Sequence, residues 1–287
     1  MKKLIGIHRD AEAHWVGNGF PVRTIFSYQA PGPCLSPFLL LDYAGPAEFP
    51  PSDQPRGVGE HPHRGFETVT IVYQGALEHR DSAGHRGTIG PGDVQWMTAA
   101  SGIVHEERHE PAFARRGGVL EMVQLWVNLP ARDKMSPPRY QEILARQIPV
   151  VDLAGGGTAR VIAGPFLGAT GPARTFTPVT VLDLRLGAGA EVEVALPEGH
   201  TTLALVLNGE ATMNRGDAAG AADLAVFDRA GDRFTIEAKQ DTTLLVLGGQ
   251  PIDEPVVGHG PFVMNTPDEI RQAVQDYRSG RMGRISV

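Results

Sequence analysis

Two short segments of this 287-residue chain carry side chains able to hold a metal ion: His61-Pro62-His63 and His105-Glu106-Glu107. In an extended strand, residues two apart project to the same side. The first segment therefore offers two imidazoles to one point, and the second an imidazole and a carboxylate. Pro62 lacks an amide donor and drives His61 toward extended geometry, which puts this pair at a sheet edge or strand entrance. An isolated H-x-H arises by chance. Followed by an H-x-E, with hairpin signals between them to return the chain, it is a far more specific pattern. Glu67 competes with Glu107 as the carboxylate: it follows His63 by four and shares its face if the strand runs straight, although Gly65 can break that parity. Its plainer role is to orient a histidine from behind. His109 adds little by its spacing from His105, and His79 and His85, beside the turn DSAGH, are expected to be solvated.

Three neutral imidazoles and one carboxylate leave a divalent ion with a net charge of about +1 and, in octahedral geometry, two open positions. Nitrogen and oxygen donors without thiolate suit Fe, Mn, Co, Ni, Cu or Zn alike. Open positions beside each other allow a phenolate or enolate oxygen and O2 to become neighbours, so oxygenation is the chemistry the set favours. A purely structural ion is disfavoured, because such sites are closed and thiolate-rich, and Cys34 is the single cysteine.

The elements that must position these donors read as β. From Thr68 to about Val127, runs such as TVTIVY and VQLWV alternate with turn signals such as DSAGHRG and GPGD. The stretch NLPARDKMSPPRY, Asn128 to Tyr140, is rich in Pro and charge and reads as a linker. VTVLDLRL, AEVEVAL, TTLALVL, RFTIEA and TTLLVL then resume the two-residue period. Two domains follow, 1–134 with the metal site and 135–287 without it. The halves are weak repeats: Gly75 matches Gly209, and Gly92-Asp93 matches Gly231-Asp232. That alignment sets Ala195 and Pro197 where His61 and His63 stand, and nothing after Gly231-Asp232 supplies an H-x-E. One metal per chain is expected, with His200 a surface or loop residue. Thr266-Pro267-Asp268-Glu269 reads as an N-cap, a first-position proline and a capping-box glutamate. The helix it starts presents Ile270, Ala273, Val274 and Tyr277 to a barrel and stops at Gly280, with Arg271, Arg278, Arg281 and Arg284 on a solvated face.

Composition bounds the rest. With 41% hydrophobic and 21% charged residues the chain can bury a normal core, and 35 Gly and 23 Pro favour turns over long helices. A net charge of -7 gives no attraction to nucleic acid or anionic membrane. One cysteine excludes an intramolecular disulfide, and neither a signal peptide nor a membrane span is visible, so a cytoplasmic protein is expected; a monomer is expected as well, although nothing in these features bears on it.

The segments HPHRGFETVT, PGDVQWMTAASGIVHEE, LSPFLLLDY and HGPFVMNTPDEI together resemble the pirin family of the cupin superfamily. The resemblance spans nearly the whole chain. It implies an all-β bicupin, two stacked antiparallel jelly-roll barrels with a short C-terminal helix, and a metal in the first barrel held by His61, His63, His105 and Glu107. It thereby favours Glu107 over Glu67, and iron among the candidate metals. Ala100 and Ser101 depart from the family pattern in the TA-x-x-GI turn but leave the ligands intact. Pirins of this bacterial type resemble quercetinases, which implies a flavonol or other enolisable phenol cleaved with O2. Glu107 would accept the substrate hydroxyl proton as it partly leaves the ion. Trp96 and Met97 can line an apolar pocket, although filling the core is the plainer reading. The competing class is a regulatory protein whose metal is a redox or conformational switch and whose partner is a transcription factor or metabolic enzyme.

Overall fold

The computed structural model describes residues 1–9, 11–30 and 34–285, and these are overwhelmingly β. Runs rich in Val, Ile, Thr and aromatic residues form the strands, as in Phe66–Gln74 (FETVTIVYQ) and Thr201–Asn208 (TTLALVLN). Each of these strands ends at a glycine in the left-handed region, Gly75 at φ 83° and Gly209 at φ 87°, so the repeat seen in the sequence marks the same turn twice.

Two compact units result, one of residues 13–33, 38–145 and 252–287 and one of residues 1–12, 34–37 and 146–251. In the first, a seven-stranded antiparallel sheet runs in the order Arg139–Ile143, Val94–Thr98, Phe66–Gln74, Gly118–Asn128, Phe38–Phe49, Phe20–Ser27, Ala13–Val16. A four-stranded sheet, Gly57–His63, Ile103–His109, Leu77–Asp81, Arg86–Ile89, closes over it. The second unit repeats this order strand for strand. Its seven-stranded sheet is Leu4–His8, Leu224–Phe227, Thr201–Asn208, Thr242–Gly249, Val179–Leu186, Thr158–Ala163, Val150–Asp152. Its four-stranded sheet is Glu191–Ala195, Arg233–Ala238, Glu210–Met213, Ala218–Gly220.

The division differs from a cut at residue 134 in two ways. Leu4–His8 fills the second unit's edge, where it pairs with Leu224–Phe227 just as Arg139–Ile143 pairs with Val94–Thr98 in the first. The C-terminal segment, expected to belong to the second domain, completes the first: Ile270, Ala273, Met282 and Ile285 pack with Val104, Phe262 and Met264. Edge strands and docked tails are fixed by long-range pairing, which local periodicity does not reveal. The helix itself forms as its sequence dictates, Pro267–Arg278, with Thr266 and Glu269 making the reciprocal capping bonds. A second short helix, Pro111–Arg116, went unread. Glu110 caps it by accepting from the amides of Ala112 and Phe113, and Gly117 ends it.

The two interiors differ sharply. A row across the first barrel reads Thr24, Asp42, Gln124, Thr70, Gln95. The matching row across the second reads Val161, Leu182, Val246, Ala204, Ala225. The second is a sealed apolar core. The first is polar along this row, beside an apolar cluster that includes Val72, Phe113 and Met122, and polar groups are kept inside a barrel only where partners or ligands satisfy them.

Candidate metal centre

The strands Gly57–His63 and Ile103–His109 lie side by side, with His105 directly opposite His61 and Ile103 opposite His63. This register brings three imidazoles together. Their ring centroids are 4.8 Å (His61–His63), 4.3 Å (His61–His105) and 4.9 Å (His63–His105) apart, and one nitrogen of each lies within 4.8 Å of the others. His63 and His105 are buried and His61 is partly exposed, which leaves the cluster one open side.

Protonation and hydrogen bonding fit a cation. The Nδ1–H of His61 donates to the Gly59 carbonyl at 2.8 Å, which leaves Nε2 with its lone pair free to coordinate. Nδ1 of His63 and both ring nitrogens of His105 are buried with no hydrogen-bond partner. Burial, and then neighbouring His61, hold His63 and His105 well below the usual histidine range, so both are neutral, as ligands must be. Buried nitrogens without partners are costly, and a bound ion is the partner that these would find.

Glu107 is buried but lies outside the mutual reach of the three imidazoles. A β-bulge falls between His105 and Glu107 in their pairing with the neighbouring strand, and such a bulge re-aims the side chains after it. The carboxylate accepts from Gln124 Nε2 at 3.2 and 3.1 Å and from the Thr70 hydroxyl at 3.4 Å. Glu67 is also buried and accepts from the Thr98 hydroxyl at 2.6 Å; burial pushes its carboxyl up to about 7. It too stands apart from the cluster.

The remaining histidines divide. His85 is exposed, as expected, and bonds the Asp81 carboxylate at 2.9 Å. His79 is not solvated: its strand alternates inward and outward, so the ring is buried opposite Glu107 and stacks on Tyr140 with centroids 5.3 Å apart. His109 donates from Nε2 to the Gly19 carbonyl at 2.9 Å and packs among Phe20, Phe49 and Phe113, so it serves the core. Trp96 and Met97 are fully buried core residues. Sequence reasoning missed Gln124, a carboxamide between the apolar runs of the strand GVLEMVQLWVN, which was the available signal. It also missed Trp126 and Phe66, whose rings lie 5.4 and 5.2 Å from His63 and form an aromatic wall beside the cluster.

In the second barrel the positions facing the interior are Val192, Val194, Phe234 and Ile236. Ala195 and Pro197, aligned with the histidines by sequence, are exposed and sit one residue out of step. The slots hold no metal donor all the same.

Two repeated antiparallel barrels, one sealed and one carrying a histidine cluster, define a bicupin with, among the described residues, a single metal-type site. Residues 19–127 match the family model described as Pirin, and residues 181–283 match the Pirin C-terminal cupin domain. The chain belongs to the pirin family. It is 58% identical over 98% of both chains to a Pseudomonas aeruginosa protein named "Putative quercetin 2,3-dioxygenase PA2418". It is 39% identical to human Pirin, over 87% of this chain and 83% of that one. The crystal structure of quercetin 2,3-dioxygenase from Acinetobacter baumannii superposes with a TM-score of 0.97, at 52% identity and full coverage of both chains. Among the described residues no helix is long and apolar enough to cross a membrane.

Proposed function

We propose that this chain is a cytoplasmic dioxygenase of quercetinase type, which uses one divalent ion, iron by preference, to cleave a flavonol or another enolisable phenol with O2. The observation that carries the reading is the convergence of three imidazoles at one side of a barrel interior that carries a row of polar side chains. The barrel with the same topology is packed with apolar side chains at the corresponding positions. The names carried by the Pseudomonas and Acinetobacter relatives support the substrate class.

In this reading His61, His63 and His105 hold the ion, which when bound supplies Lewis acidity and redox chemistry toward dioxygen. Glu107 is the fourth donor and the acceptor of the substrate's hydroxyl proton. Gln124, donating to both oxygens of Glu107, would compete for that carboxylate and hold it in place to take the proton. Trp126, partly exposed and backed by the buried Phe66 ring 4.2 Å away, would give the aromatic substrate an apolar face to lie against.

The test is to purify the protein, determine its metal by elemental analysis, and follow O2 uptake with quercetin. The enzyme reading expects metal-dependent uptake that His61→Ala and Glu107→Ala abolish. A metal-replete protein that turns over no flavonol and no other enolisable phenol would reject it in favour of the regulatory class.

A further inference from the structure

The segment from Pro261 to Met282 crosses the ends of both strands that carry the histidines, and its contacts are too specific to be mere cover. At the first strand, the Arg64 amide donates to the Pro261 carbonyl at 3.3 Å, and the Val263 amide donates to the Arg64 carbonyl at 3.0 Å. The Arg64 guanidinium, buried, meets Asp276 of the C-terminal helix at 2.8 Å and donates from Nε to the Ser101 carbonyl at 2.7 Å. At the second strand, the Ser82 hydroxyl donates to the Met282 carbonyl at 2.7 Å and accepts from the Val104 amide, next to His105, at 3.1 Å.

Glycine makes the approach possible. Gly65 has φ 91°, and a Cβ there would sit 1.9 Å from the Val263 carbonyl oxygen; one at Gly102 would meet the Met282 side chain at 2.9 Å.

We propose that this C-terminal segment is a clasp that fixes the spacing of the two ligand strands, with Asp276 as a positioning residue acting on His63 through Arg64. Tail docking and metal retention are then one coupled equilibrium, so each must strengthen the other. The proposal rests on the metal reading above and names a device that the reading does not require.

The experiment uses the full chain and zinc alone as probe, in competition with a chromophoric chelator, alongside hydrogen exchange of residues 257–285 with and without zinc. Wild type should bind one zinc, and His105→Ala none. Asp276→Asn should bind about tenfold or more weakly, the scale seen when groups supporting a ligand are removed. Asp268→Asn, which removes an exposed ion pair with Arg271 on the same helix, should bind as wild type does. Zinc should slow exchange in the tail of wild type, and less so in Asp276→Asn. If wild type binds no zinc, the metal reading falls and the clasp with it. If wild type binds zinc while Asp276→Asn matches its affinity, or melts earlier by the same amount with and without zinc, the clasp alone is overturned.

Discussion

Lys134 offers a sharp test of how the first barrel is held together. Its ammonium is fully buried, yet it donates to the Gly65 carbonyl at 2.7 Å, Asn128 Oδ1 at 2.6 Å and the Val263 carbonyl at 3.0 Å, joining the histidine segment to the tail. Burial lowers its pKa from 10.5 to about 7, against the raising effect of Glu254 and Glu269. A base with a depressed folded value binds its proton more tightly when unfolded. Stability must therefore rise with pH across the window from about 7 to about 10.5, at up to about 1.4 kcal/mol per pH unit. Between pH 7 and pH 9 the gain is about 2 kcal/mol, or about 3 °C in Tm for a chain of this size. Lys134→Met removes the proton and the three donated bonds. The lost bonds lower stability at every pH, whereas the proton changes the slope. Thermal denaturation of both proteins at half-unit steps from pH 6.5 to 9.5 gives the difference curve, in which all other groups cancel. Wild type should gain on the variant by about 2 kcal/mol from pH 7 to pH 9. Parallel curves would show that the three acceptors hold the lysine at its ordinary value, and the desolvation argument would be wrong.

Stripping metal with a chelator should lower Tm, and returning excess iron or zinc should restore it by several degrees, as a ligand bound only to the folded state requires; His105→Ala should lose this response in the same calorimetric scan. Gly65→Ala should cost at least about 3 kcal/mol, because it forces both a left-handed backbone and a collision with Val263, and urea unfolding will read the loss. Thr266→Ala removes one half of the capping box and should cost about 1 kcal/mol, seen first as faster hydrogen exchange in the helix Pro267–Arg278.

What the sequence made legible was local. The spacing of His61 and His63, the return to His105, the capping box at Thr266 and the matched turns at Gly75 and Gly209 each depend on a few neighbouring residues. All four reappear in the structure. What escaped depends on partners far along the chain. Nothing near Glu107 announces Gln124, which reaches it from a strand of the opposite sheet. His79 looked solvated beside a turn, but strand alternation buries it. A one-residue offset separates the sequence alignment at Ala195 from the inward-facing Val194, because only cross-strand register tells which parity faces in.

The interleaving of the two units bears on the order of events during synthesis. Residues 252–285, which complete the barrel with the histidine cluster, are translated only after every strand of the other barrel. The unit with the histidine cluster has all the strands of its two large sheets by Ile143, yet must wait for the end of translation for the tail that covers it. While the ribosome works, its neighbour has all its strands in hand, and the nascent histidine pocket stays unlatched, open to whatever cations the surrounding medium presents.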